Sequence, residues 1–201
     1  KEPYGNYNRI MLSPVLAGEK HFNDIVLHTP EWYTKQGIEL ISGQVVVDVN
    51  RRQRQVITDQ GLSISYDRLL LATGSVPFII PIPNHNHACV LSFRDIQDVE
   101  AMLAATTEKK RVAVIGGGLL GLEAANGLLK RGVDVTVIHD VTCLMNRQLD
   151  SEAAHLLQKQ LENNGMKFRM GVVTKEIVAK DAEHLSHLTF REGEDLVTDL
   201  V

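Results

Sequence analysis

The chain has 201 residues, 44% of them hydrophobic and 23% charged, with a formal net charge of −4. That is ordinary globular composition, which excludes a disordered, collagen-like or coiled-coil chain as the main description. The acidic balance argues against a nucleic-acid partner, which calls for a basic face. No apolar run approaches the roughly 18 residues of a membrane span.

In chain order, residues 1–20 are turn-rich and show no steady period. Pro30 opens a short helix over 30–36 that Gly37 closes. Gln44–Val49, Gln55–Thr58 and Leu62–Tyr66 are predicted strands joined by short turns, an antiparallel meander. The continuous apolar run Arg68–Gly74 reads as a strand buried on both faces. Pro77, Pro81 and Pro83 make the next stretch an extended linker.

Residues 94–105 are a predicted helix, with Ile96, Val99, Met102 and Leu103 on one face. A domain boundary falls near 100–110. The basic triplet Lys109-Lys110-Arg111 then opens a strand over Val112–Ile115, a glycine-rich turn, a helix over Leu119–Lys130 stopped by Gly132, and a strand over Asp134–Ile138. A helix over Ser151–Asn164 follows, capped by Asp150 or Ser151 and stopped by Gly165. Strands at Lys167–Met170, Val172–Ala179, Leu185–Phe190 and Leu196–Val201 complete the pattern.

The chemistry is concentrated at Gly116-Gly117-Gly118-Leu119-Leu120-Gly121. A G-x-G-x-x-G carries weight only between a strand and a helix, and this one lies there. Gly116 permits the tight turn, Gly118 lets backbone approach a pyrophosphate, and Gly121 allows the helix to pack on the strand. The first helical turn, at Leu119 and Leu120, offers free N–H groups and the positive end of the helix dipole to phosphates. An acid about 20 residues on would hold the ribose of NAD. Asp140 has that spacing, yet the predicted strand ends at Ile138, which puts His139 where the acid is most wanted. Asp140 either reaches the ribose or points away, and a protonated His139 would favour the 2′-phosphate of NADP. NADH is the expected cofactor, with NADPH open. Glu123 is either a first-turn acid suited to the dipole or a carboxylate near the nicotinamide.

Cys89 and Cys143 lack metal or redox spacing and read as reduced structural thiols, which fits a cytoplasmic setting. His85, His87, His184 and His187 lack partners at metal-ligand spacing, so no metal site is expected.

With these motifs on the page, the sequence resembles the FAD- and NAD(P)H-dependent pyridine-nucleotide oxidoreductases, built from two dinucleotide-binding folds. Within that group it most resembles the large subunits of NAD(P)H-dependent nitrite reductases. The resemblance rests on Tyr7–Glu19, Glu31–Tyr33, Tyr66-Asp67 with Leu69–Ser75, Phe93–Asp98, Ile115–Ala125 and Leu144–Asp150. It implies an α/β, three-layer Rossmann-like flavoprotein fold, with 1–104 a partial FAD-binding domain and 105–201 an NAD(P)-binding domain.

By the same resemblance, Arg9 and Ser13 would lie along the FAD, and Val45 or Val46 would offer backbone to the adenine. Thr73, Gly74 and Ser75 would approach its diphosphate, and Arg94 the flavin side. Hydride would pass from the nicotinamide to the flavin, and electrons onward to iron–sulfur and siroheme centres outside this chain. No side chain is expected to act as catalyst.

The resemblance also implies that the chain starts after the family's own FAD glycine motif and stops before its second FAD segment. On that reading it is an internal piece of an enzyme, inactive by itself, whose partners are the remaining domains and a small subunit. Where thiol-active relatives carry a cysteine and ferredoxin or rubredoxin reductases a lysine, this chain has Ser13-Pro14. The alternatives are a standalone rubredoxin or ferredoxin reductase and a dinucleotide-binding module without turnover.

Overall fold

A computed structural model of the chain describes residues 2–108 and 110–201; Lys1 and the Lys109 of the basic triplet lie outside the described residues. Two compact units emerge, one of residues 1–8 and 23–76, the other of residues 9–22 and 77–201. The second therefore borrows an early stretch of chain.

In the first unit, β1 (Val46–Asn50), β2 (Gln55–Thr58) and β3 (Ser63–Ser65) form the antiparallel meander. Its tight turn relies on Arg54 at φ 52° and on the Asn50 carboxamide, which accepts from the Gln53 amide at 3.1 Å. The helix before it, α2, runs over Pro30–Lys35, with proline in its first turn and Gly37 at φ 68° beyond. On that helix Trp32 stacks on His28 at 3.8 Å between ring centroids, and Tyr33 meets Trp32 edge-on.

The run Arg68–Gly74 is not a strand. Leu70 is 88% and Leu71 69% exposed, and no described strand pairs with them. An apolar run suits a doubly buried strand, but only a ladder partner makes it one.

In the second unit, α1 (Leu12–Ala17) occupies a stretch that shows no period in the sequence. Pro14 is tolerated because first-turn N–H groups make no intrahelical bond. Leu12, Val15 and Leu16 face inward, and Gly18 closes the helix at φ 79°. The linker Pro77–Pro83 is irregular, as predicted. It leads to a segment docked on the antiparallel sheet of β7 (Thr174–Ala179), β8 (Leu185–Phe190) and β9 (Leu196–Val197). Asn84 donates to the Ile177 carbonyl at 2.7 Å, and the buried Cys89 thiol donates to the Glu183 carbonyl at 2.9 Å. His87 Nδ1 accepts from the Cys89 amide, so its proton sits on Nε2, 2.8 Å from the Asp181 carbonyl.

The helix α3 (Ile96–Ala105) begins with a reciprocal capping box between Asp95 and Asp98 and buries Ile96, Val99 and Met102. Next come β4 (Arg111–Ile115), α4 (Leu119–Lys130), β5 (Asp134–His139), α5 (Ser151–Asn163, capped by Asp150) and β6 (Lys167–Met170). The strands β4, β5 and β6 form a parallel sheet with Arg111 opposite Asp134 and Ile115 opposite Ile138, the Rossmann-like core expected. Its centre is Ala113, Val135, Val137 and Ile138, all essentially inaccessible to solvent.

The predicted last strand is split between two sheets. After Val197 the chain leaves β8, the Thr198 hydroxyl donates to the Leu200 carbonyl, and Leu200 bridges Val112 in parallel. Arg111 and Asp199 clamp this crossing with paired hydrogen bonds of 3.2 and 2.6 Å. Among the described residues no helix is long and apolar enough to cross a membrane.

Candidate dinucleotide site

The strand β4 ends into a turn that requires glycine at Gly116 and Gly121. Gly116 has φ 121°, in the region that L side chains rarely adopt, and its amide donates to the Ile138 carbonyl at 2.8 Å. The turn is thereby pinned across β5. A Cβ on Gly121 would lie 2.0 Å from the Gly116 carbonyl oxygen, so the helix can start this close to the strand only without a side chain there. Gly118 is the N-cap in extended conformation and contributes no capping side chain. A Cβ there would meet nothing within 4 Å, so open space lies beside this backbone. The first helical bond runs from the Leu122 amide to the Gly118 carbonyl. The amides of Leu119, Leu120 and Gly121 precede it and face outward along the helix axis. The side chains of Leu119 and Leu120 are exposed.

The strand β5 extends one residue further than the sequence suggests, because His139 still pairs with Met170. Asp140 is therefore the first residue past the strand. His139 is 12% exposed and its ring lies beneath the turn, where a Cβ on Gly117 would come within 2.8 Å of it. Its Nδ1 is 3.2 Å from the Asp140 carboxylate, and its buried Nε2 makes no hydrogen bond. Asp140 is 70% exposed. The two residues are thus not interchangeable: the imidazole packs, and the carboxylate faces solvent beside the turn.

Glu123 lies past the first turn of α4, which carries no acidic residue, so the simple helix-dipole role does not apply to it. It is half-buried, and burial raises its carboxyl above the usual 4.5. Leu120 and Gly121 also border an open, largely apolar cavity of about 310 Å³, with Phe78, Phe93 and Ile115 among its walls.

One contributor has no signal in the glycine motif itself. The Met145 amide donates to the Gly117 carbonyl at 2.9 Å, and Leu144, fully buried, packs against Gly117. The loop after β5 thereby props the turn from behind. Its sequence, Leu144–Asp150, lacks a helical or strand period, so only the family resemblance marks it out.

The structure brings Gly116, Gly118, Leu119, Leu120, Gly121, His139 and Asp140 together, with Glu123 further along the same helix. The residues expected along FAD divide between the units. In the second, the Arg9 guanidinium donates to the Arg94 carbonyl at 3.4 Å, and Ser13 lies on α1, half-buried. In the first, Val46 opens β1 opposite Thr58. Thr73, Gly74 and Ser75 form an exposed, irregular stretch with Gly74 at φ 70°.

Residues 2–201 match the profile of the pyridine nucleotide-disulphide oxidoreductases. The chain is 50% identical to a nitrite reductase [NAD(P)H] of Bacillus subtilis, over all of this chain and 25% of that protein. It is 45% identical to the assimilatory nitrate reductase electron transfer subunit of the same organism, over all of this chain and 26% of that one. Among solved structures, a ferredoxin reductase from Rhodopseudomonas palustris superposes with a TM-score of 0.90 at 28% identity, over 99% of this chain and 49% of that one. The chain thus spans about a quarter of the length of these two curated relatives.

Proposed function

Because the chain belongs to the pyridine nucleotide-disulphide oxidoreductase family, we propose that it is the electron-input part of an NAD(P)H-dependent flavoprotein of the nitrite reductase type. Residues 105–201 bind the nicotinamide dinucleotide, and residues 1–104 supply part of the FAD site. The observation that carries this reading is the glycine turn: backbone pinned by Gly116, helix brought close by Gly121, and open space at Gly118. Those features suit a pyrophosphate, which needs N–H donors and no intervening Cβ.

In this reading the amides of Leu119, Leu120 and Gly121 hold the pyrophosphate. Asp140 accepts from the adenosine ribose, and His139 supports the turn from below rather than acting as a ribose ligand. That arrangement favours NADH, since a carboxylate beside the ribose repels a 2′-phosphate. Glu123 stands further along the helix with a carboxyl that holds its proton more tightly than usual. Arg9, Ser13, Val46, Thr73, Gly74, Ser75 and Arg94 serve FAD. Bound together, the two dinucleotides supply hydride transfer from nicotinamide to flavin. Iron–sulfur and siroheme acceptors belong to other parts of the whole protein, which acts in the cytoplasm. The protein's own share of the chemistry is placement and electrostatics.

The test is calorimetric titration of the chain with NADH and, separately, NADPH. Saturable NADH binding at least several-fold tighter than NADPH supports the reading. Equal affinities would remove the role given to Asp140, and no binding of either would overturn the site.

A further inference from the structure

The helix that carries Ser13 rests directly on the helix that starts at the glycine turn, and the contact is built rather than incidental. Arg131, the residue that ends α4, donates from Nε to the Leu16 carbonyl at 2.8 Å and from Nη2 to the Val15 carbonyl at 3.4 Å. Those carbonyls belong to the last turn of α1, at the negative end of its dipole. The Val15 carbonyl already accepts from the Gly18 amide at 3.0 Å, so the guanidinium shares that acceptor and supplies the Leu16 carbonyl with the donor that the end of the helix lacks. Gly18 makes room for it, since a Cβ would lie 2.8 Å from the guanidinium carbon. One turn back on α4, Gly127 leaves space for Leu16, whose Cγ would be 2.9 Å from an added Cβ. Leu16 is fully buried as a result. Glu19 and Lys130 add an exposed ion pair beside these contacts.

We propose that Arg131 is a positioning residue for hydride transfer: by locking α1 onto α4 it sets the flavin-side segment Arg9–Ser13 against the helix that holds the nicotinamide dinucleotide. This rests on the assignments proposed above. The physical reason is that reacting atoms must meet at about 3–3.5 Å, and a 1 Å misplacement can cost on the order of 100-fold in rate. Slack between α1 and α4 therefore lowers the transfer rate more than it lowers either affinity. Arginine suits the task because its rigid planar fork presents donors to two carbonyls in a fixed geometry, whereas a lysine offers a point charge on a flexible stem.

The experiment uses the flavin-loaded full-length protein. Flavin reduction by NADH is followed by stopped flow in wild type, Arg131→Ala and Arg131→Lys. The NADH Kd is measured by calorimetry, and amide hydrogen exchange is measured across Leu12–Ala17. The expected result for Arg131→Ala is a limiting reduction rate roughly 10-fold lower, in keeping with a displacement smaller than 1 Å. The NADH Kd and flavin retention stay within about twofold on the same ground, and α1 amides exchange faster. Arg131→Lys falls between Arg131→Ala and wild type. Gly127→Ala is the second variant, since alanine favours helix while pushing on Leu16; it should give the same split if Arg131→Ala loses flavin or unfolds. An unchanged rate despite faster α1 exchange, or a rate loss matched by an equal loss of NADH affinity, overturns the inference. A wild-type flavin that NADH cannot reduce overturns the underlying reading, and the inference with it. Reduction that proceeds normally in all variants overturns the inference alone.

Discussion

Gly116 and Gly121 are in contact across the turn that joins β4 to α4: the carbonyl oxygen of the first occupies the space that a side chain on the second would need. Gly118, between them, has open space where its side chain would be. The two substitutions to alanine should therefore fail in different ways. Gly121→Ala should lower the melting temperature by roughly 4–8 °C, as overpacking against backbone does. Gly118→Ala should cost only about 2–4 °C, the loss of a preferred N-cap residue, yet weaken NADH binding about tenfold or more by crowding the pyrophosphate. Thermal melts and calorimetry on both variants decide it. Equal melting temperatures with unequal affinities in the opposite order would break the assignment.

His139→Glu places a second carboxylate at the end of β5, where the buried Nε2 now makes no hydrogen bond. The expected outcome is a lower melting temperature, from a carboxylate buried beneath the turn, with the ratio of the NADH and NADPH dissociation constants unchanged, because Asp140 is the carboxylate that faces solvent. A shift of that ratio toward NADH would give position 139 a place at the ribose and remove the supporting role assigned to His139.

Glu123 gives a pH dependence of definite sign. Burial raises its carboxyl above 4.5 in the folded protein. A group shifted this way contributes stability when protonated, and that contribution is lost as pH rises through the folded value. Glu123→Gln should thus gain melting temperature over wild type at pH 7, and the gain should shrink at pH 4. The same difference at both pH values would show that the carboxyl feels no burial.

Asp199 runs the other way. The hydrogen bond from Arg111 holds its carboxyl below the usual 3.8, against a smaller opposing effect of burial. Its contribution is present above 3.8 and is lost as pH falls through the lower folded value. Asp199→Asn should melt a few degrees below wild type at pH 7, with the gap closing in strong acid. The effect is modest because both side chains are partly exposed. A gap that persists in acid would assign the loss to packing at the sheet crossing.

The segment from β4 to β5 was legible because its signals are local: apolar strand, glycine turn, helix and stop residue all lie within about 30 positions, as βαβ units do. The helix α4 falls where its flanking glycines put it. What escaped depends on distant neighbours. Leu69–Leu71 carry strand composition, yet pairing is a property of two segments, and no described one pairs with them. Leu196–Val201 look like one strand, while Thr198 redirects the chain from one sheet to another. The helix α1 is too short to show a period, although Leu12, Val15, Leu16 and Gly18 carry its face and its stop. At the site, the glycine turn was readable from spacing, whereas His139 and Asp140 stood as alternatives, because the end of β5 is set by pairing with Met170. The packing of His139 beneath Gly117 and the prop from Met145 were not readable, because loop docking leaves no periodic trace.

The bond from Arg131 to Leu16 spans 115 positions of chain. During synthesis, α1 leaves the ribosome long before the surface that covers it exists. At about 5–20 residues per second, Leu12, Val15 and Leu16 wait on the order of 10 s for α4 to follow. Through that interval the apolar stripe of α1 is open to chaperones and to wrong partners. Closing so distant a contact also slows refolding relative to a helical protein of equal size. The order in which the chain is made thus leaves the first-made helix of the second unit among the last to be secured.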